Sequence, residues 1–155
     1  PPAAVIMITA GKTSAMVVRA FKQQSAQPML FGLSVVSSRE LLETLGKDAH
    51  GVVLAQVVPT PFRIDHPVVR EYQQAAIAHD QQFSYAALEG YLAAKMTAEA
   101  LQRSGPRLTR AAFAKAMESL GGFDMGGLRL QFSPTNHVGL DFIDLSVVSH
   151  GRFNR

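Results

Sequence analysis

Three short apolar runs, each about the length of one strand, alternate with helical stretches in the first part of this chain. The first, Ala4-Val5-Ile6-Met7-Ile8-Thr9, begins almost at the first residue. Met29-Leu30-Phe31-Gly32-Leu33 and Val52-Val53-Leu54-Ala55-Gln56-Val57-Val58 follow it. Continuous β-branched runs, as opposed to alternating ones, suit strands covered on both faces, the situation inside a parallel sheet. The β-α-β-α-β order adds right-handed crossovers and parallel strands. The first run then sets a topological condition. A central parallel strand has neighbours on both sides, each reached by a crossover of a dozen or more residues. Nothing before Ala4 supplies one. The chain is therefore expected to form a small sheet with an exposed edge or to be part of a larger α/β protein.

The segments between and beyond these runs carry their own signals. Ala10-Gly11-Lys12-Thr13-Ser14 leads into a helix expected over about residues 14–25, with Val17, Val18 and Phe21 as its apolar stripe and Pro28 as its stop. Ser37-Ser38-Arg39-Glu40 has the form of a capping box for a short helix carrying Leu41, Leu42 and Leu45, closed by Gly46. Pro59-Thr60-Pro61 is a stiff extended connector, a natural place for the chain to pass from one unit to another. Pro67 suits the first turn of the next helix, which presents Val68, Tyr72, Ala75 and Ala76 on one side. Ser84 is placed to cap a long helix reaching about Arg103, rich in alanine and so suited to close packing. Thr109 is placed to cap another that carries Phe113, Met117 and Leu120 in register. Leu128, Leu130 and Phe132 alternate with Arg129 and Gln131, which predicts a half-buried strand. Ser133-Pro134-Thr135-Asn136 is turn chemistry. A last strand is expected over roughly 140–148, leading to a turn at His150-Gly151.

Composition removes several classes of function. The 155 residues are 47% hydrophobic and 17% charged, which excludes a disordered tail and suits a chain with much apolar surface to cover. The net charge of +3 comes from scattered Lys and Arg, without a basic run or interleaved aromatics, so no nucleic-acid partner is expected. Cysteine is absent, which leaves no disulfide framework and no thiolate metal site. No apolar stretch approaches the ~20 residues that span a bilayer, so no direct membrane insertion is expected. The sequence shows neither an initiator Met nor a charged-then-apolar leader, and a targeting segment is expected to lie outside it.

Catalytic motifs fail on geometry. Gly11-Lys12-Thr13 stands between a strand and a helix as in a phosphate-binding loop, but the glycine needed five positions earlier is Ile6, inside the strand. Gly32-Leu33-Ser34-Val35-Val36 begins like a nucleophile elbow and then places Val36 where the second glycine belongs, which would crowd the turn. The five histidines, His50, His66, His79, His137 and His150, lack paired metal-ligand spacing and read as solvated or turn residues. Asp141 and Asp144, three apart in an expected strand, fall on opposite faces. The expectation is no catalytic residues, no metal and no cofactor. What remains is the general site of open parallel sheets, beyond the carboxyl ends of the strands. Those ends are Thr9-Ala10-Gly11-Lys12 and Ser34-Val35-Val36-Ser37, each leading into a helix N-terminus whose free amides favour an anionic or carbonyl-bearing group. Ser37 reads as a cap; Ser34 reads equally as a turn residue or as a ligand contact.

Taken in order, these segments resemble a known family. Ala4-Val5-Ile6-Met7-Ile8, Met29-Leu30-Phe31-Gly32-Leu33-Ser34, the run from Gly51 to Pro59, and the helix opening Ser84-Tyr85-Ala86-Ala87-Leu88-Glu89-Gly90-Tyr91 are similar to the periplasmic leucine/isoleucine/valine-binding proteins, substrate-binding components of ABC importers. Phe123-Asp124-Met125-Gly126-Gly127 and Phe132-Ser133-Pro134-Thr135-Asn136-His137 continue the likeness. The resemblance implies an α/β, parallel-sheet, two-lobe type I periplasmic binding protein fold, of which this chain would be the incomplete C-terminal part. Residues 1–58 would belong to the second lobe, 59–137 to the hinge and a segment returning to the first lobe, and 138–155 to the second lobe again. It implies periplasmic location, a small-molecule ligand held between the lobes without catalysis, and the importer's membrane subunits as partners. A ligand-sensing regulatory domain on the same fold is the alternative.

Family members that bind amino acids place an acidic residue after the strand that matches Met29–Leu33, where this chain has neutral Ser34. They often offer a tyrosine after the first strand, where this chain has Ala10-Gly11-Lys12. The ligand is accordingly expected to be branched-chain amino acid-like, an amide or an aromatic carboxylate, with Lys12 meeting a carboxylate or carbonyl. Ala10, Gly11, Lys12 and Ser34 are the expected contacts, Leu33 and Val35 the expected wall, and Phe83, Ser84 and Tyr85 the contribution from across the cleft. A fragment of this kind is expected to leave apolar surface exposed and to form a dimer or aggregate.

Overall fold

A computed structural model describes residues 2–24, 27–36 and 39–154. They form strands β1 (Ala4–Met7), β2 (Met29–Gly32), β3 (Val53–Gln56), β4 (Asp144–Ser149) and β5 (Arg152–Asn154). The helices are α1 (Gly11–Lys22), α2 (Arg39–Leu45), α3 (Pro67–Ala78), α4 (Tyr85–Arg103) and α5 (Arg110–Glu118). The strands make one sheet in the order β1-β2-β3-β4-β5, parallel from β1 to β3 and antiparallel from β3 to β5. Among the described residues no helix is long and apolar enough to cross a membrane. The chain divides into two compact units. One takes the described residues within 1–60, 84–86 and 143–155, the other residues 61–83 and 87–142. The divisions at 60/61 and 142/143 leave the Ser133–Asn136 turn inside the second unit.

In the first unit the ladder register decides which side chains share a face. Met7 pairs with Gly32, Gly32 with Leu54 and Leu54 with Ser146, so Met7, Leu54 and Ser146 point to one side together with Leu30 and Val148. That side is buried. Met7, Leu30, Leu54 and Val148 join Ala15 and Val18 of α1 and Leu41 and Leu45 of α2 in one core. A polar pair sits within this layer: Gln56 Nε2 donates to Ser146 Oγ at 2.7 Å, which satisfies both buried side chains.

The other side of the sheet carries Ala4, Ile6, Met29, Phe31, Val53, Ala55, Leu145 and Val147. Ile6 is 72% exposed and Leu145 52%. The expectation that the first run is a strand covered on both faces is therefore corrected. In the described sheet β1 stands at one end, and on its second face Ile6 is exposed while Phe31, Val53 and Ala55 are half-buried.

Three boundaries also move. α1 starts at Gly11, three residues before the expected start, because the strand-to-helix turn takes no more than residues 8–10. β4 starts at Asp144, so Asp141 precedes the strand and the two aspartates do not share it. The turn expected at His150-Gly151 is a two-residue hairpin with φ +50 and +70, the mirror-type turn that matches strand twist, and it leads into β5, which the sequence reading lacks. The capping box expected at Ser37–Glu40 involves Ser37 and Ser38, which lie outside the described residues.

In the second unit Pro67 opens α3, and Thr109 caps α5 by accepting from the Ala112 amide at 3.1 Å, both as expected. Val68, Val69, Tyr72, Leu88, Leu92, Ala100, Ala116 and Leu120 are buried. Ala93, Ala94 and Ala98 of α4 are exposed, so among these alanines close packing is used at Ala100. The strand expected at 128–132 is instead one arm of a tight reversal. Leu130 N donates to Phe123 O at 2.9 Å and Met125 N to Leu128 O at 2.9 Å, with a single bridge between Asp124 and Arg129. Leu128 and Leu130 are buried between exposed Arg129 and Gln131, so the alternation is real, but the segment bonds to the 122–125 arm and joins no named strand.

Asp124 organises this reversal. Its Oδ1 accepts from the amides of Gly126 and Gly127 at 2.8 and 2.7 Å. Those hydrogen bonds, Gly126's foremost, hold the carboxyl below the ordinary carboxylate range, with Arg129 adding to them. A folded-state value below the unfolded one gives stability that is complete above the unfolded value, about 3.9, and is lost as pH falls through the depressed value. Asp124→Asn, which does not titrate, is expected to show a flatter acid limb than the parent in urea melts between about pH 5 and pH 2. Parallel acid limbs would mean that the turn does not depend on the charge.

Candidate functional site

The loops singled out in the sequence emerge side by side. Because Met7 pairs with Gly32, the chain leaves β1 and β2 at the same edge of the sheet, with residues 8–12 beside residues 33–36. This is the carboxyl edge of the parallel strands. Ala10 precedes α1 with extended backbone and no side-chain cap, and the first turn carries no acidic residue. The leading amides of α1 thus have no side-chain cap and no acidic residue of their own turn beside them. Gly11 takes φ +54, a left-handed conformation that a side chain would strain, and a Cβ there would meet nothing within 4 Å. Backbone is consequently open to close approach at this point. Exposed Lys12 adds a cation. Thr9 and Ser14, with hydroxyl oxygens 2.9 Å apart, tie the turn to the buried side of the helix.

On the neighbouring loop, Ser34–Val36 forms one turn of 3-10 helix in which Val36 N donates to Leu33 O at 3.0 Å. Val36 is buried and anchors the turn, while Leu33 and Val35 are exposed. Ser34 is half-buried, and its hydroxyl bonds to no other described residue.

The sequence-predicted residues divide among different surroundings. Gly11 and Lys12 join Ala15, Met16, Arg19, Val36, Leu41 and Thr44 around a cavity of about 300 Å³ between α1 and α2. Leu33 instead lines a shallow apolar depression of about 330 Å³ on the open sheet face, with Ile6, Phe31 and Leu145. Arg19 donates from Nη2 to the Thr44 carbonyl and so closes one wall of the first cavity. Sequence reasoning missed Met16 and Arg19, although Lys12, Met16 and Arg19 follow the i, i+4, i+7 spacing of one helix face.

The three residues expected from across the cleft are placed by packing. Phe83 is half-buried with its ring 5.9 Å from Tyr72, and Ser84 is half-buried just before α4. Tyr85 is buried, with its ring edge-on to Phe153 at 5.9 Å, so the expectation of a ring presented to ligand is corrected. Its partner lies almost seventy residues away in sequence, out of reach of local reasoning. Among the described residues no three or more His, Asp or Glu side chains gather as a metal site would require.

The mixed sheet is packed by α1 and α2 on one face, with the loops after its parallel strands at one edge, and comparison with known proteins gives it a family. The sequence profile of the family described as periplasmic binding protein matches residues 1–143. This chain belongs to that family. It is similar to a solved structure described as a possible leucine/isoleucine/valine-binding protein from Rhodopirellula baltica, at 31% identity and TM-score 0.86, over 95% of this chain and 40% of that one. A substrate-binding periplasmic protein from Ralstonia solanacearum matches at 32% identity and TM-score 0.82, over 94% of this chain and 43% of that one. A branched-chain amino acid ABC transporter protein from Thermus thermophilus, solved with bound valine, shares the fold at 19% identity and TM-score 0.78, over 97% of this chain and 44% of that one. The chain thus spans less than half the length of these relatives. No curated protein matches it.

Proposed function

We propose that this chain is part of an extracytoplasmic solute-binding protein that serves an ABC importer and holds a small molecule without chemical change. The two units are read as portions of two lobes. The observation that carries the proposal is the family match over residues 1–143, together with uncapped α1 amides beside a Ser34 hydroxyl that no described side chain engages. Lys12 and those amides suit a carboxylate or carbonyl oxygen. Neutral Ser34 suits an amide or a hydroxyl better than an ammonium group, because it supplies no countercharge. The ligand is read as a branched-chain amino acid-like compound, an amide or an aromatic carboxylate. Location outside the cytoplasm and docking on the importer's membrane subunits follow from the same reading.

The test is a thermal-shift screen of amino acids, amides and aromatic acids on the protein that carries this chain. A ligand stabilises by an amount set by its concentration over its Kd. For the best ligand, Lys12→Ala is expected to weaken binding about 10- to 100-fold, the loss of a charged contact. Ser34→Ala is expected to cost about 3- to 10-fold, the loss of a neutral hydrogen bond. The ligand is expected to be recovered unchanged. Unaltered affinity in both variants would put the pocket elsewhere, and turnover would replace the binding role with an enzymatic one.

A further inference from the structure

We infer that His50 and His150 form a two-imidazole site for a divalent ion of the zinc type, at the end of the sheet opposite the loops after β1 and β2. His50 lies just before β3, and His150 lies in the turn after β4. Since β3 and β4 run antiparallel, the start of one and the end of the other share an edge. Two backbone hydrogen bonds pin these turns together: Gly51 N donates to Val148 O at 2.8 Å, and Val148 N to Val52 O at 2.9 Å. The imidazole rings stand with centroids 6.3 Å apart and planes at 63°. Both residues are exposed, so an ion reaches them without opening the fold.

The spacing fits a shared ion. Zinc binds imidazole nitrogen at about 2.0–2.1 Å, which places the metal roughly 3.2 Å from each ring centroid. Two rings on one ion then have centroids at most about 6.4 Å apart, and about 5.2 Å at a tetrahedral angle. The observed distance lies within that limit, and rotation about the side-chain bonds of two exposed residues closes the remaining ångström. Imidazole is a favoured ligand for zinc, copper and nickel. Two histidines are the whole protein contribution, since no larger group of ligating side chains forms among the described residues, and water completes the shell. Lys22 is the adjacent cation, with Nζ donating to the His50 carbonyl at 2.9 Å, and it keeps the affinity modest. The site is separate from the proposed ligand loops and does not depend on them.

The experiment uses zinc sulfate on the chain without an affinity tag. Competition against a chromophoric chelator gives the affinity, and diethyl pyrocarbonate modification mapped by mass spectrometry gives the residues. Zinc is expected to protect His50 and His150 together, while His66, His79 and His137 react as before. His50→Gln and His150→Asn are each expected to weaken zinc binding at least tenfold; asparagine tolerates the left-handed backbone at position 150. Protection of one ring without the other, or unchanged affinity in either variant, overturns the site. The protection experiment needs no variant and so stands whether or not the substitutions fold well.

Discussion

Gly126→Ala is expected to destabilise the second unit by about 3 kcal/mol or more, through backbone strain and a clash that cannot relax. Gly126 has φ +110, a region costly to any residue with a Cβ. A Cβ built there would sit 2.9 Å from Val68 N and 3.1 Å from Val68 Cβ. Val68 is fully buried in the first turn of α3, and its amide donates to Gly126 O at 3.0 Å. The added methyl group therefore meets main chain at the point where the reversal docks on the helix. Gly105→Ala is the control: φ is also positive, at +75, but a Cβ there meets nothing within 4 Å, and about 1 kcal/mol is expected. Urea melts of the two variants decide the matter. Equal losses would show that docking of the 124–127 reversal on α3 contributes little.

Association is the second large effect. At micromolar concentration the chain alone is expected to sediment as a dimer or larger species, driven by the open sheet face. Full burial of one Leu, Ile or Phe side chain is worth about 1.5–3 kcal/mol. Ile6, Met29, Leu33, Leu145 and Val147 stand exposed on or beside that face. Several such residues together rival the ~5–15 kcal/mol stability of a whole domain. β1 also presents an unpaired edge in the described sheet. Ile6→Lys combined with Leu145→Lys places charge on strands at either side of the face and is expected to shift sedimentation toward monomer without loss of helical signal. A parent chain that is already a monodisperse monomer with one cooperative melt would mean that the open face is tolerated.

The alternation of strands and helices was legible because each apolar run is bounded by glycine, proline or capping residues that act locally. Pro67 and Thr109 are of this kind, and both start the helices expected of them. What escaped depends on partners distant in the chain. The apolar run of β1 carries no sign of which face is covered, since α1 and α2 settle that by packing on one side. The 128–132 segment alternates like a strand, yet hydrogen bonds reach it from the preceding reversal. The position of the loops at 10–12 and 33–35 at one edge of the sheet was legible from strand ends alone. Arg19, Leu41 and Thr44 were not, because the cavity they line exists once α2 lies against α1. Tyr85 is buried and packs edge-on against Phe153, a partner distant in the chain.

The pairing of β3 with β4 has a consequence in time. Gln56 and Ser146, joined across this ladder, are 90 residues apart, whereas β1 and β2 pair at a separation of 25. Closing the longer loop costs about 1 kcal/mol more chain entropy than closing the shorter one, and it waits for the later strand to leave the ribosome. The second unit is nearly continuous between residues 61 and 142, so its contacts are available sooner. Synthesis is therefore linear while folding is nested: the segment between β3 and β4 is free to settle first, and the sheet that β1 to β3 begin is sealed by β4.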